Sequence, residues 1–308
     1  MNHPSSAWLD TQYNNRARIP DHAQIFAEWS RASALARAQS PCHLDLRYGP
    51  SPAQTLDVFP AANGNAPAPV LVFIHGGYWR SLDKRDHSFV APAFTQAGAM
   101  VVVPNYALCP AVSMQTIALQ MTHALAWTYR HAAQYGGEPK RIVVVGHSAG
   151  GHLAALLLTC RWREVGRDLP VHLLRTALSI SGLFDLEPLR HTPFLQPDLR
   201  LTPASVARLS PAGLPAPAGR LHAVVGADES EEFLRQNLLI RKAWGVRSVP
   251  TCEALASLNH LNILNDLADP RAQLHRLALG LLGLAPADGA GRNAPSAPAT
   301  ATTAAAAA

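Results

Sequence analysis

Short, almost entirely apolar runs that alternate with amphipathic stretches constrain the fold of this chain more than any other feature. Such runs are VLVFIH at 70–75, AMVVVPNY at 99–106 and RIVVVGHS at 141–148, followed later by LRTALSIS, RLHAVVGAD and SVPTCEAL. Helix-like segments separate them, among them MQTIALQMTHALAWTYRHAAQYG and EEFLRQNLLIRKAWG, and a final helix is predicted within 261–283. Continuous apolar strands in alternation with helices predict an α/β fold, with a mostly parallel central sheet covered by helices on both faces.

The remaining segments divide the chain around this α/β domain, which we place at residues 41–284. Residues 1–40 contain AQIFAEWSRASALARA at helical spacing and predict an N-terminal helical segment. HLDLRYG and TLDVFP predict an antiparallel hairpin. Residues 183–219 are rich in proline and predict an excursion with short helices that joins the N-terminal helix in a small cap. Residues 285–308 are of low complexity, and we expect this Ala/Pro-rich tail to be disordered.

Composition and charge exclude several classes of function. The 308 residues carry a net charge of +5 without a dense Lys/Arg run, so we expect no nucleic-acid partner. The four cysteines lie far apart and predict neither a disulfide framework nor a zinc site. The N-terminus lacks an apolar signal, and no apolar run approaches the roughly 20 residues of a membrane span. We therefore expect a soluble cytoplasmic protein without a membrane partner, with a homodimer left open beside a monomer.

The motif Gly146-His147-Ser148-Ala149-Gly150 joins a buried strand to a helix. A G-x-S-x-G sequence in this context predicts a sharp, strained turn that projects the serine hydroxyl above the sheet. It also places the N–H of Ala149 at a helix N-terminus, where negative charge is stabilised. Ser148 is therefore the predicted nucleophile, and the neighbouring His147 and His152 are predicted to support the turn.

A serine nucleophile needs a base and an acid, which follow it along the chain in folds with this turn. Asp228 ends the run RLHAVVGAD and is the predicted acid, while His260 follows the last strand and is the predicted base. Asp185 and Glu229 are alternative acids. Helix capping is an alternative role for both Asp228 and His260.

The stretch HGGYW follows the first buried parallel strand. Small residues there allow the main chain to approach a developing oxyanion, so the N–H groups of Gly77 and Tyr78 are predicted donors beside that of Ala149. Gly76, Tyr78 and Trp79 are candidate substrate-binding residues, because aromatic rings beside the oxyanion hole suit a flat leaving group. Core packing is the alternative role for Trp79.

Together, HGGYW, PNYALCP, GHSAGGHLAALL and the spaced Asp228 and His260 resemble the α/β-hydrolase superfamily. More narrowly, they resemble its kynurenine formamidase (arylformamidase) branch, which is related to the hormone-sensitive-lipase-like carboxylesterases. The resemblance covers about residues 10–283. Carried over by position, it implies Ser148 as nucleophile, Asp228 as acid and His260 as base, in an α/β-hydrolase fold.

The resemblance implies a serine hydrolase that cleaves a small aromatic amide or ester without a metal or cofactor. The leading hypothesis is an aryl formamide substrate similar to N-formylkynurenine, of the kind used in tryptophan catabolism. A broad carboxylesterase for short acyl esters is the alternative enzyme. A hydrolase-fold binding module is the non-enzymatic alternative, which the intact set of Ser148, Asp228 and His260 disfavours. A metal-dependent formamidase is disfavoured because the sequence has neither H-x-H nor H-E-x-x-H.

Overall fold

A computed structural model describes residues 5–62, 64 and 67–284 of the chain. The described residues include eight strands: β1 (His43–Arg47), β2 (Thr55–Phe59), β3 (Ala68–Ile74), β4 (Met100–Pro104), β5 (Gly137–His147), β6 (Thr176–Ile180), β7 (Arg220–Gly226) and β8 (Cys252–Leu255). They form one sheet in the order β1-β2-β4-β3-β5-β6-β7-β8. In this sheet β2 is antiparallel to both of its neighbours, and the other neighbouring strands are parallel to each other. The predicted hairpin and parallel sheet are confirmed.

Thirteen α-helices accompany the sheet in the described part of the chain. They are α1 (Ser6–Tyr13), α2 (Asn15–Arg18), α3 (His22–Gln39), α4 (Ala91–Gln96), α5 (Met114–His131), α6 (Ala149–Leu158), α7 (Trp162–Val165), α8 (Glu187–Arg190), α9 (Gln196–Leu199), α10 (Pro203–Leu209), α11 (Glu231–Ser248), α12 (Ile263–Ala268) and α13 (Gln273–Leu282). Short 3-10 helices lie at Lys84–Asp86, Ser88–Val90, Ala132–Tyr135 and Pro211–Gly213. None of the helices described here is both long and apolar enough to cross a membrane. The predicted disordered tail, 285–308, lies outside the described residues.

The central strand β3 shows why the apolar runs are continuous. All seven of its residues are buried. Val70, Val72 and Ile74 belong to a core cluster with residues of α5, α6 and α11, whereas Leu71 and Phe73 belong to a second cluster with residues of α3, α4 and α13. Because alternate side chains of a strand point to opposite faces, a sheet covered on both faces requires apolar residues throughout.

The C-terminal region differs from the sequence prediction. One helix was expected within 261–283, but α12 ends at Ala268 and α13 begins at Gln273. The break follows from Pro270, which disfavours helical geometry at the residue before it. Asp269 accordingly adopts an extended ψ of 115°.

The excursion between β6 and β7 carries α8, α9 and α10, as the sequence predicted. It is bound to the α/β core at its base, where the side-chain oxygen of Gln236 accepts the N–H groups of Phe184 and Asp185 at 2.8 and 2.9 Å. The N-terminal segment reaches the same region, because Asp10 accepts the N–H of Phe194 at 3.2 Å. The two segments therefore meet beside the sheet.

A buried ion pair holds the hairpin against the segment that follows HGGYW. The Lys84 ammonium is 2.5 Å from Asp57 and 2.8 Å from Asp45, and the Lys84 and Asp57 side chains are 2% and 0% exposed. The second Asp57 oxygen has no hydrogen-bond partner among the described residues. Loss of the lysine would therefore leave a buried carboxylate without a counter-charge.

We predict that Lys84→Met lowers the free energy of unfolding by about 3–5 kcal/mol, because an unpaired buried charge is strongly destabilising. The double variant Lys84→Met/Asp57→Asn should recover a large part of this loss, since it removes the stranded charge. Urea unfolding of the three proteins measures both values. A Lys84→Met protein within about 1 kcal/mol of the parent would contradict the prediction.

Candidate active site

Ser148 lies at the strained turn that the sequence predicted, between the end of β5 and the start of α6. Its backbone has φ 56° and ψ −116°, in a region that favours glycine. Its N–H donates to the carbonyl of Ile180 at the end of β6, at 2.8 Å. The flanking glycines permit the turn, because a Cβ at Gly146 would lie 2.1 Å from the Gly150 carbonyl oxygen, and one at Gly150 would lie 2.0 Å from that of Ile74.

The imidazole of His260 is oriented by Glu229 and not by Asp228. His260 Nδ1 lies 2.6 Å from Glu229 Oε2, and the two side chains are 5% and 0% exposed. The other oxygen of Glu229 accepts the N–H of Gly226 at 2.8 Å and the hydroxyl of Ser181. The assignment of Asp228 as the acid partner is therefore corrected to Glu229, which the sequence offered only as an alternative.

The turn after β7 explains why Glu229, and not Asp228, directs its carboxylate into the protein. The Asp228 N–H donates to the carbonyl of Leu258, and the Asp228 side chain is exposed. The next N–H, that of Glu229, donates back to the Gly226 carbonyl at 3.2 Å and closes a tight turn. Glu229 thereby returns its side chain to the end of the sheet. Asp185, the other alternative acid, lies in the cap and pairs with Arg235 at 3.5 Å.

His147 supports His260 through the main chain. Its Nε2 donates to the His260 carbonyl at 2.8 Å, and burial holds the pKa of His147 well below its usual range. A neutral ring with its proton on Nε2 fits this bond. The His260 ring also packs on Phe233, with centroids 4.4 Å apart. With Nδ1 bonded to Glu229, the second ring nitrogen of His260 is left to accept a proton.

His152, on the next turn of α6, supports the cap in the same way. Its Nε2 donates to the carbonyl of Leu209 at 2.7 Å. Burial lowers the pKa of His152 to about 4, so that the ring is neutral. The supporting role predicted for both histidines agrees with these contacts.

The HGGYW segment forms a tight loop with unusual backbone geometry. Gly77, Tyr78 and Trp79 all have positive φ, at 105°, 50° and 56°. A Cβ at Gly77 would lie 2.1 Å from the carbonyl oxygen of Ser81, so this position requires glycine. Among the described residues, the N–H groups of Gly77, Tyr78 and Ala149 have no hydrogen-bond acceptor. An oxyanion hole requires free backbone N–H donors of this kind.

Asn105 holds the two ends of this loop together. Its side-chain oxygen lies 3.2 Å from His75 Nε2 and accepts the N–H of Lys84 at 3.3 Å. Its amide nitrogen donates to Asp83 at 2.7 Å. The sequence suggested no role for Asn105, although it belongs to the PNYALCP motif. The loop geometry therefore depends on the residue that follows β4.

Ser148, His260, Gly77 and Tyr78 border one cavity of about 390 Å³. Phe26 and Trp29 of α3 and Phe194 of the cap excursion supply its aromatic walls, together with Tyr78. The Tyr78 hydroxyl donates to the Tyr13 carbonyl at 2.7 Å, and its ring meets Phe194 edge to face at 5.9 Å. The ring of Tyr78 is thus fixed against both parts of the cap.

Two of the three candidate substrate-binding residues do not border this cavity. The Trp79 side chain is 0% exposed and packs against His152, so the alternative role of core packing is the one observed. Gly76 lies next to Ser148, because a Cβ at Gly76 would be 3.1 Å from the Cβ of Ser148. The steric constraints of the loop direct Trp79 into the core, and only Tyr78 faces the cavity.

Comparison with known proteins agrees with this architecture. The BD-FAE family model matches residues 56–169. A kynurenine formamidase of Danio rerio is 27% identical over 255 residues, which cover 80% of this chain and 84% of that protein. The crystal structure of a candidate thioesterase from Silicibacter sp. TM1040 is 30% identical, with a TM-score of 0.75 over 86% of this chain and 97% of its own. The chain belongs to the α/β-hydrolase superfamily.

Within this superfamily, the resemblance to the kynurenine formamidase branch is confirmed by the curated relatives. Esterase B of Lactobacillus rhamnosis HN001 shares the fold, with a TM-score of 0.63 at 20% identity over 85% of this chain and 92% of its own. The predicted α/β-hydrolase fold is therefore confirmed. Together the relatives establish this α/β-hydrolase chain as a hydrolytic enzyme.

We predict that Glu229→Gln lowers the kcat/KM of this hydrolase for p-nitrophenyl acetate by roughly 10²–10⁴-fold, because an amide neither stabilises the imidazolium nor favours the required tautomer. Asp228→Asn should leave kcat/KM within about threefold of the parent, since that side chain faces solvent. The pair is a matched comparison of adjacent carboxylates. A large loss in Asp228→Asn, with Glu229→Gln unaffected, would reverse the assignment.

Proposed function

We propose that the chain is a metal-independent serine hydrolase that cleaves aryl formamides through a formyl-enzyme on Ser148. One observation supports this most strongly: Ser148 occupies its strained turn at the border of the same aromatic-walled cavity as His260, whose Nδ1 donates to buried Glu229. This combination supplies a nucleophile, a base and an orienting acid. In the described residues, no group of three or more His, Cys, Asp or Glu side chains is arranged to hold a metal ion.

In the proposed acylation step, His260 Nε2 accepts the hydroxyl proton as Ser148 Oγ attacks the formyl carbon. The N–H groups of Gly77, Tyr78 and Ala149 stabilise the resulting oxyanion. His260 then donates this proton to the leaving arylamine as the C–N bond breaks. In deacylation, His260 accepts a proton from water as the water oxygen attacks the formyl ester, and it then returns this proton to Ser148 Oγ as formic acid leaves and ionises in solution.

The aromatic walls favour an aryl substrate. Phe26 and Trp29 pack with ring centroids 5.4 Å apart, and Phe194 closes the cavity from the other part of the cap. Flat rings bind well between such walls through stacked and edge-to-face contacts. Kynurenine formamidase relatives support the formamide in particular. A carboxylesterase is the second candidate, because curated and structural relatives include esterases.

We predict that the purified protein hydrolyses N-formylkynurenine with a kcat/KM of about 10⁴ M⁻¹s⁻¹ or higher, in the ordinary range for enzymes. The matched assay uses p-nitrophenyl acetate, with Ser148→Ala as the control for both substrates. An N-formylkynurenine rate at background beside rapid ester cleavage would support the carboxylesterase instead. Full retention of both activities in Ser148→Ala would overturn the assignment of the nucleophile.

A further inference from the structure

Two of the three proposed oxyanion donors lie in the HGGYW loop, and the peptide that carries each of them is anchored by its carbonyl. Because a trans peptide is planar, its N–H points away from its carbonyl oxygen, so a hydrogen bond to the oxygen also fixes the direction of the N–H. The Gly77 carbonyl shares a peptide with the Tyr78 N–H. It accepts the N–H groups of Arg80 and Ser81, at 3.1 and 3.0 Å. The loop itself therefore fixes the direction of the Tyr78 N–H.

The Gly77 N–H belongs to the preceding peptide, whose carbonyl is held from outside the loop. Among the described residues, no main-chain N–H donates to the Gly76 carbonyl. The hydroxyl of Tyr106, just beyond β4, donates to the carbonyls of Gly76 and His75 at 3.1 and 2.9 Å. Tyr106 is 1% exposed, and burial holds the pKa of its hydroxyl well above the usual range, so the hydroxyl keeps its proton. A buried side chain from the neighbouring strand end therefore anchors the peptide that carries the Gly77 N–H.

The His75 ring approaches the same oxygen but is not an independent donor. Its Nδ1 lies 2.8 Å from the Gly76 carbonyl oxygen, and its Nε2 lies 3.2 Å from the side-chain oxygen of Asn105. Burial lowers the pKa of His75, and a neutral imidazole has a single N–H, so the ring donates to only one of these two oxygens. The ring also stacks on that of Tyr106, with centroids 4.2 Å apart and an interplanar angle of 8°. The Tyr106 hydroxyl is thus the donor to this peptide that is present in either tautomer of His75.

We propose that Tyr106 is a positioning residue for hydrolysis, because its hydroxyl holds the Gly76 carbonyl and thereby aims the Gly77 N–H at the oxyanion. Tyr106 does not border the catalytic cavity, so it acts without contact with the substrate. Oxyanion stabilisation depends on donors that are fixed before the reaction, so a donor that rotates away loses much of its effect. This inference rests on the proposed function, since it assigns a role within the oxyanion hole of the same site.

Phenyl trifluoromethyl ketone and the corresponding secondary alcohol test this role. In the ketone, Ser148 Oγ bonds to the carbonyl carbon and gives its proton to His260, which leaves an oxyanion on the former carbonyl oxygen. The alcohol has a similar shape but cannot form this adduct. We predict that Tyr106→Phe, which retains the ring, lowers the preference for the ketone over the alcohol by roughly ten- to 100-fold. Its affinity for the alcohol should stay within about twofold, and its kcat/KM for p-nitrophenyl acetate should fall in parallel with the preference.

Two further replacements at residue 106 separate the hydrogen bond from the volume of the hydroxyl. 4-Fluorophenylalanine fills that volume without a donor and should show the same loss, which keeps the test decisive if Tyr106→Phe does not fold. 4-Aminophenylalanine carries a donor at the same position and should retain most of the preference. A full preference in the fluoro protein, or none in the folded amino protein, would overturn the role.

Tyr48→Phe is the matched control. The Tyr48 hydroxyl donates to the Asn105 carbonyl at 2.5 Å, in the same region of the protein, but is not bonded to the Gly76 carbonyl. The preference for the ketone should therefore remain within about twofold of the parent in Tyr48→Phe. A loss equal to that in Tyr106→Phe would contradict a specific action on the Gly76–Gly77 peptide.

Ser148→Ala distinguishes failure of this inference from failure of the proposed function. If the parent protein does not prefer the ketone, or if Ser148→Ala prefers it equally, the proposed serine mechanism fails and the role of Tyr106 fails with it. If Ser148→Ala abolishes the preference but Tyr106→Phe keeps it, the role of Tyr106 alone is overturned. The comparison does not depend on whether the substrate is a formamide or an ester.

Discussion

The arrangement of the site depends on the hydrogen bonds that the Glu229 carboxylate accepts. It accepts hydrogen bonds from Ser181 after β6, from the N–H of Gly226 at the end of β7, and from His260 after β8. Three neighbouring parallel strands are thus tied together at their carboxyl ends, where open α/β sheets place their active sites. Because the side chain is buried and each of these contacts comes from a donor, the Glu229 carboxylate is fixed in a position that orients the His260 ring.

The other residues of the site are held in place around the same edge of the sheet. The N–H of Ser148 donates a hydrogen bond to the carbonyl of Ile180 at the end of β6, which holds the strained turn in place. The His147 ring connects the same turn to the main chain of His260 through a second hydrogen bond. On the other side, Asn105 secures the loop that presents the N–H groups of Gly77 and Tyr78. The N-terminal segment and the cap excursion then enclose this edge with aromatic and polar side chains. The cavity walls and the Ser148–His260 edge of the sheet therefore come from different parts of the chain.

Much of this could be predicted from the sequence because local patterns determine it. Continuous apolar runs predicted the parallel sheet, and the glycines around Ser148 predicted the turn because only small residues avoid the neighbouring carbonyls. The choice between Asp228 and Glu229 could not be made, because it depends on how a two-residue turn packs against Leu258. The orientation of the Trp79 side chain likewise depends on the positive φ angles of three consecutive residues, which the sequence HGGYW does not reveal. Phe26 and Trp29 likewise border the cavity only through tertiary packing of the N-terminal segment.

The central claim is that Ser148 is a nucleophile activated by His260. Labelling of the native protein with a fluorophosphonate, followed by peptide mass spectrometry, tests it directly, because such reagents capture an activated serine. We expect one adduct per chain, on the peptide that contains Ser148, and no adduct in His260→Ala over the same period. An adduct at another residue, or equal labelling of Ser148 without His260, would contradict the claim.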